Sequence, residues 1–139
     1  MKLTDIPEMI PFLKEKPAVL VFSGVQCDSR RIRPGDLFVA LSGSRDDGAR
    51  YAAAALAKGA VAVLAQAPLH DAPKQTIVVH DARGALACLA AALNGWPAKT
   101  LRVYGVTGTN GKTTTAWLLR ELLRAGGRTP GLLSTVQVE

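Results

Sequence analysis

The residues best suited to chemistry form one short segment, Thr107–Thr115, which reads TGTNGKTTT. An apolar run at Leu101–Val106 precedes it and predicts a buried strand, while apolar residues recurring at spacings of three and four between Trp117 and Leu123 predict a helix after it. A strand, a glycine-rich turn that ends in Gly-Lys-Thr, and a helix, in that order, make up the P-loop arrangement. The segment therefore predicts a site for the phosphates of a nucleotide.

Each residue type in this segment has a chemical reason. Gly108 and Gly111 let backbone N–H groups close around phosphate oxygens, and the positive end of the following helix favours the same negative charge. Lys112 places a compact cation on the β- and γ-phosphates, and the Thr113 hydroxyl is a suitable Mg²⁺ ligand, because Mg²⁺ prefers hard oxygen ligands. With Lys112 as the catalytic residue and Thr113 as the metal ligand, the predicted ATP site comprises Thr107, Gly108, Thr109, Asn110, Gly111, Lys112, Thr113 and Thr114.

The loop departs from the general pattern at one position. Val106 stands where the pattern has its first glycine, so the loop is a variant that begins at Thr107 or Gly108. The alternative is an ordinary strand–turn–helix corner with a threonine as helix cap. Such a corner does not need the order Gly-Lys-Thr-Thr, so we favour phosphate binding.

Composition sets the broad class. The chain has 139 residues, 48% of them apolar and 20% charged, which indicates a globular protein with room for one core and part of a second. Its apolar runs are too short for a bilayer and its first residues do not resemble a signal peptide, so we expect a cytoplasmic protein without membrane contact. The net charge of +6 favours anionic partners such as nucleotides. Nucleic acid is disfavoured, because aromatic residues make up only 5% and do not interleave with the basic ones.

Alanine-rich helices that alternate with short valine-rich strands predict an α/β fold. We expect a small domain with a mixed sheet at residues 1–96, then the first strand, P-loop, helix and second strand of a P-loop ATPase-like domain at residues 97–139. The predicted helices are Tyr51–Lys58 and Ala82–Asn94, and the predicted strands are Ala18–Phe22, Val25–Cys27, Asp36–Leu41, Ala60–Ala65, Thr76–Val79 and, in the second domain, Leu132–Val138.

Two polar loops flank the predicted strand Asp36–Leu41 and could meet at one edge of the sheet. Ser29 and Arg30 lie in the first loop, and Ser44 and Arg45 lie in the second. Together they could hold an anion with charge-assisted hydrogen bonds. Two solvated turns are the open alternative.

The two cysteines, Cys27 and Cys88, are far apart in the sequence and have no metal-like spacing. We expect both to be buried free thiols, since a disulfide does not persist in a reducing compartment.

The second domain is expected to be incomplete. A P-loop sheet needs further parallel strands to cover both faces, and its Mg²⁺ site needs a later acidic residue. Neither fits into residues 114–139. We therefore expect the chain to be the amino-terminal part of a longer protein, or to complete its sheet with a partner.

Three stretches together resemble the Mur ligase family. They are Asp28-Ser29-Arg30 with Pro34–Ala40, Asp47-Gly48 followed by Gly59-Ala60, and the loop Thr107–Thr115. The resemblance covers nearly the whole of this chain. In an enzyme of the family, the matching part is only about the first third of the sequence. Asn110, and the absence of Lys-Glu after the threonine run, favour the subgroup that adds the third residue of the peptidoglycan stem peptide (MurE type) over the D-Ala-D-Ala-adding subgroup.

The resemblance implies an amide ligase that uses ATP and Mg²⁺ and works through an acyl phosphate. Its substrates would be UDP-MurNAc-L-Ala-D-Glu and a diamino acid, either meso-diaminopimelate or lysine. The full-length enzyme would act in cell-wall synthesis as a monomer, and this chain alone would not catalyse. A stand-alone UDP-sugar- or nucleotide-binding module is the alternative.

The resemblance also assigns the first domain to the UDP end of the substrate. Cys27, Asp28 and Ser29 align with the uridine-contacting stretch, and residues 44–46 align with the loop near the uridine and pyrophosphate. After the second strand of the central domain, the family usually has Gly-Thr, whereas this sequence has Ser134-Thr135. The predicted site for the UDP-substrate comprises Cys27, Ser29, Arg30, Ser44, Arg45 and Asp46.

Overall fold

The computed structural model describes residues 1–14, 19–43, 47–70 and 72–134. The chain divides into two compact units, Met1–Thr100 and Leu101–Glu139. Trp96 packs against the core of the first unit, and Lys99 lies 4.9 Å from the centre of the Trp96 ring and 3.7 Å from the Glu8 carboxylate. The expected domain boundary, between residues 96 and 97, therefore lies within the first unit.

The first unit contains a four-stranded sheet in the order β1-β2-β3-β4. All three pairings are parallel, because the chain returns to the same end of the sheet before each new strand begins. The α/β class is confirmed, but a mixed sheet is wrong for these strands. Antiparallel pairing in the described residues is limited to isolated bridges, such as Lys2 with Val21 inside the predicted strand Ala18–Phe22. The strands are β1 (Gly24–Gln26), β2 (Asp36–Val39), β3 (Ala62–Ala65) and β4 (Thr76–Val78).

The core of the first unit lies on both faces of this sheet. Strands β2 and β3 are buried along their whole length, which explains why β3 and the residues of β2 after Asp36 are apolar without alternation. Leu37 and Leu64 point to one face, where helix α2 (Ala82–Leu93) covers them. Phe38 and Val63 point to the other face, toward helix α1 (Ala52–Ala57).

The two helices predicted for the first unit are confirmed, and the ends of each lie within one residue of the predicted ends. Helix α1 follows a 3-10 turn at Gly48–Tyr51 and is followed by Gly59, whose φ of +100° suits glycine. Helix α2 begins after Asp81, whose carboxylate accepts a hydrogen bond of 2.9 Å from the backbone N–H of Arg83. Further 3-10 turns are Leu3–Asp5, Pro7–Phe12, Pro73–Gln75 and Pro97–Lys99.

The second unit is built on helix α3 (Lys112–Ala125). The strand predicted at Leu101–Val106 is not formed, since the described part of this unit offers no neighbouring strand, and Val103 is 76% exposed. Leu132 and the two residues after it form no extended strand, and the remainder of the predicted second strand, with Thr135, lies outside the described residues. None of the helices in the described ranges is both long and apolar enough to cross a membrane.

Candidate functional site

The glycine loop of the second unit has the backbone that anion binding requires. Gly108 has a φ of +148° and Gly111 a φ of +76°, both in the region that favours glycine. Helix α3 begins directly after Gly111, and no side chain caps its amino terminus. The first helical hydrogen bond runs from the Thr115 N–H to the Gly111 carbonyl oxygen at 2.9 Å. The N–H groups of the first turn are therefore available to an anion.

Lys112 lies over this loop. Its Nζ donates hydrogen bonds to the carbonyl oxygens of Gly108 at 2.6 Å and Thr109 at 3.2 Å, and the residue is exposed. A β-carbon built on Gly111 would meet no atom within 4 Å, so the space next to Gly111 is open. An exposed cation and backbone donors that face open space fit a polyphosphate. The individual contacts predicted for Thr107 through Thr114 stay predictions.

Thr113 is half-buried in the first turn of α3, next to the lysine. In the described part of the chain, no group of three or more His, Cys, Asp or Glu residues could hold a metal ion. A Mg²⁺ at Thr113 would combine the threonine hydroxyl with nucleotide phosphates, water and the later acidic residue that a P-loop site needs. The assignment of Thr113 as a metal ligand stays a prediction.

The loop after β1 folds around Asp28. The Asp28 carboxylate accepts hydrogen bonds from the Arg30 backbone N–H at 2.9 Å, from its Nε at 2.9 Å and from its Nη2 at 2.8 Å. The side-chain hydrogen bonds from Arg30, followed by the backbone one, lower the pKa of Asp28 from 3.8 to about 2. Arg30 is thus engaged within its own loop, although its side chain is 86% exposed.

This ion pair gives a prediction for pH. Because the pKa of Asp28 is depressed, the pairing contributes fully above pH 3.8 and is lost as the pH falls through about 2. Arg30→Ala should raise the pKa of Asp28 only part of the way toward 3.8, because the backbone N–H of residue 30 still donates to the carboxylate, and Arg31→Ala should change it far less, because Arg31 acts only through space. A carboxyl-carbon NMR titration measures both. An Asp28 pKa near 2 in Arg30→Ala would contradict the assignment.

Ser29 directly follows Asp28 in the same loop and is half-buried. Within the described ranges its hydroxyl has no hydrogen-bond partner, so it can meet a ligand. Its carbonyl oxygen instead accepts a hydrogen bond of 3.1 Å from Nζ of Lys58, across 29 residues of sequence. Sequence reasoning missed Lys58, because a lysine at the end of a helix carries no sign of so distant a contact.

The two cysteines differ in their surroundings. Cys88 is buried in α2, and burial raises the pKa of its thiol. Cys27 is exposed, so the prediction that it is buried is wrong. It directly follows the last residue of β1, where the chain leaves the sheet and enters the loop.

The loop after β2 is held at its base. Ser42 pairs with Asp47 as an isolated bridge, the Gly48 N–H donates to the Leu41 carbonyl oxygen at 2.9 Å, and Arg83 Nη2 donates to the Ser42 carbonyl oxygen at 3.5 Å. The predicted site residues Ser44, Arg45 and Asp46 lie outside the described residues. Their meeting with Ser29 and Arg30 stays a prediction.

A shallow cavity of about 230 Å³ lies elsewhere in the first unit. It sits between the first turn of α1 and the loop after β3, where Ala49, Ala53 and Leu69 line it. None of the predicted site residues lines this cavity, whose wall also includes Arg50 and His70.

Two family models match the chain. Residues 21–93 match the Mur ligase family, catalytic domain, and residues 106–139 match the Mur ligase middle domain. The first match covers all four strands of the sheet and both helices of the first unit, and the second covers the glycine loop and α3.

Similar proteins extend over the whole chain. A UDP-N-acetylmuramoyl-L-alanyl-D-glutamate–2,6-diaminopimelate ligase from Syntrophomonas wolfei is 42% identical over 100% of this chain, which spans 29% of that protein. A UDP-N-acetylmuramyl-tripeptide synthetase from Deinococcus radiodurans is 49% identical over 84% of the chain and 24% of its own length. The chain thus spans between a quarter and a third of the first relative and about a quarter of the second.

Solved structures agree with these relatives. A UDP-N-acetylmuramoyl-L-alanyl-D-glutamate–2,6-diaminopimelate ligase superposes with a TM-score of 0.67 at 30% identity, over 85% of this chain and 24% of that one. The MurF ligase from Thermotoga maritima, solved with ADP, gives a TM-score of 0.62 at 34% identity, over 84% of this chain and 27% of that one. One family model matches the parallel sheet, and the other matches the glycine loop and the helix after it. Together they identify the chain as a member of the Mur ligase family.

Proposed function

We propose that this chain is the part of an ATP-dependent amide ligase that holds the two phosphate-bearing reactants. The ligase adds a diamino acid to UDP-MurNAc-L-Ala-D-Glu in peptidoglycan synthesis. The observation that carries the proposal is the 42% identity to a diaminopimelate ligase over the full chain, an alignment that includes the TGTNGKTTT loop of this sequence. The relatives are much longer, so the remaining residues of such an enzyme would select the amino acid.

The second unit supplies the nucleotide site in this proposal. Lys112 already lies over the loop carbonyl oxygens, so its ammonium group needs only a side-chain movement to reach a phosphate oxygen. The N–H groups of the first turn of α3 and the Thr113 hydroxyl complete the predicted donor and ligand set. Mg-ATP would supply the phosphoryl group that activates the substrate carboxylate. Fixed positive charge around a transferring phosphoryl group is a large source of rate in such reactions.

The first unit supplies the site for the UDP end of the other reactant. Ser29 offers a hydroxyl without a partner in the described residues, in a loop that carries Arg30, Arg31 and Arg33. The basic loop favours a diphosphate, while the hydroxyl can donate to or accept from a uracil or phosphate group. The exposed Cys27 lies at the entrance of the loop.

Substitution of Ser29 tests whether the first unit binds the UDP-substrate independently of the nucleotide site in the second unit. Ser29→Ala should weaken binding of UDP-MurNAc-L-Ala-D-Glu by about 0.5–1.5 kcal/mol, the value of one hydrogen bond, and leave Mg-ATP binding unchanged. Titration calorimetry of the chain with each ligand measures both constants. Thr4→Ala is the control, because this exposed hydroxyl lies in the Leu3–Asp5 turn and outside the loop, so its loss should alter neither constant. An unchanged constant for the UDP-substrate in Ser29→Ala would count against the site.

A further inference from the structure

The end of helix α1 holds the loop between β1 and β2 at two separate points. Lys58 donates from Nζ to the carbonyl oxygens of Ser29 at 3.1 Å and Arg30 at 3.5 Å. The carbonyl oxygen of the next residue, Gly59, accepts a hydrogen bond of 2.9 Å from the Gly35 N–H at the far end of the loop. One helix end therefore fixes both the beginning and the end of the loop.

The backbone at this helix end leaves little freedom for the contact. Gly59 has a φ of +100°, and a β-carbon built on it would lie 3.0 Å from the Pro34 α-carbon. The Lys58 N–H still donates to the Ala54 carbonyl oxygen at 3.2 Å, so the lysine remains part of the helical turn. Its side chain thus extends to the loop from a fixed backbone.

Without Lys58, the first half of the loop would be held mainly by local contacts. The hydrogen bonds of Asp28 with Arg30 connect residues only two apart in sequence, so they shape the turn but do not attach it to the sheet. The Lys58 contacts span 29 and 28 residues. They tie the turn that carries Ser29 to the rigid α/β core.

We propose that Lys58 is a positioning residue for the UDP-bearing substrate, acting through the Ser29 carbonyl oxygen to hold the Ser29 hydroxyl in its binding position. The inference rests on the proposed function of the first unit. The ammonium group itself is engaged with two backbone carbonyl oxygens, so its role is to order the loop before the ligand arrives. Ordering in advance removes part of the entropy cost that binding would otherwise carry.

Titration calorimetry with UDP-MurNAc-L-Ala-D-Glu tests this role in the 139-residue chain. Lys58→Ala should weaken binding by about three- to tenfold, because one exposed charge-assisted contact is lost. Lys58→Arg, which keeps a long cationic donor, should recover most of the affinity. Lys74→Ala, at an exposed lysine in the Pro73–Gln75 turn, should bind like the wild type.

Hydrogen exchange separates positioning from general stability. In Lys58→Ala the amides of residues 29–31 should exchange faster, while those of β2 and β3 and the midpoint of thermal unfolding stay as in the wild type. If the wild type binds the ligand and Lys58→Ala binds equally well, the inference is overturned and the proposed function stands. If the wild type does not bind the ligand, the proposed function itself fails.

Discussion

Replacing Lys112 with alanine is expected to weaken Mg-ATP binding by about 30- to 150-fold, which corresponds to about 2–3 kcal/mol for a charge-assisted contact with phosphate. The reason is the position of Nζ, 2.6 Å from the Gly108 carbonyl oxygen over an open loop. Titration calorimetry of the wild type and the variant with Mg-ATP measures the change.

The same variant also tests the separation of the two sites. Lys112→Ala should leave the affinity for UDP-MurNAc-L-Ala-D-Glu unchanged, and it should not alter the circular dichroism spectrum, because the side chain is exposed. Lys74→Ala is the matched lysine control and should bind Mg-ATP as the wild type does. An affinity of Lys112→Ala for Mg-ATP within twofold of the wild type would refute the role given to the lysine.

Gly48→Ala is expected to destabilise the first unit by about 2–3 kcal/mol, through overpacking against a backbone that cannot move aside. A β-carbon at this position would lie 2.7 Å from the Leu41 nitrogen and 2.8 Å from the Leu41 oxygen. The same carbonyl oxygen accepts the Gly48 N–H at 2.9 Å, so this close approach is what closes the base of the loop after β2. For a unit of this size, the melting temperature should fall by about 10–20 °C.

Thermal unfolding followed by far-ultraviolet circular dichroism measures this effect. Gly105→Ala is the matched control, because a β-carbon there would meet nothing within 4 Å. It should unfold at the wild-type temperature. Wild-type stability in Gly48→Ala would mean that the base of the loop is looser than its hydrogen bonds indicate.

The parts of the fold that were predictable from sequence are those decided locally. Strand β3 and the residues of β2 after Asp36 are apolar runs because both faces of these strands are buried, and the extents of both strands were predicted to within two residues at each end. The glycine loop was recognisable because glycine, lysine and threonine must follow one another in a fixed order to surround a phosphate. Helix α1 ends beside Gly59 for an equally local reason, its φ of +100°.

Other features depend on partners that sequence spacing does not reveal. Lys58 contacts Ser29 across 29 residues, and nothing in the local sequence marks either one as the partner. The apolar run at Leu101–Val106 has the composition of a strand, but composition alone does not supply the neighbouring strand that its hydrogen bonds need. Cys27 was expected to be buried from its residue type, whereas its place at the end of β1 leaves it exposed.

The proposed function requires that two separate units hold two different phosphate-bearing ligands. Calorimetry tests this requirement most directly, by titrating UDP-MurNAc-L-Ala-D-Glu into the wild-type chain, first alone and then in the presence of saturating Mg-ATP. We expect one site for each ligand and binding of the UDP-substrate that Mg-ATP does not compete away. Competition for a single site, or no binding of Mg-ATP at all, would contradict it.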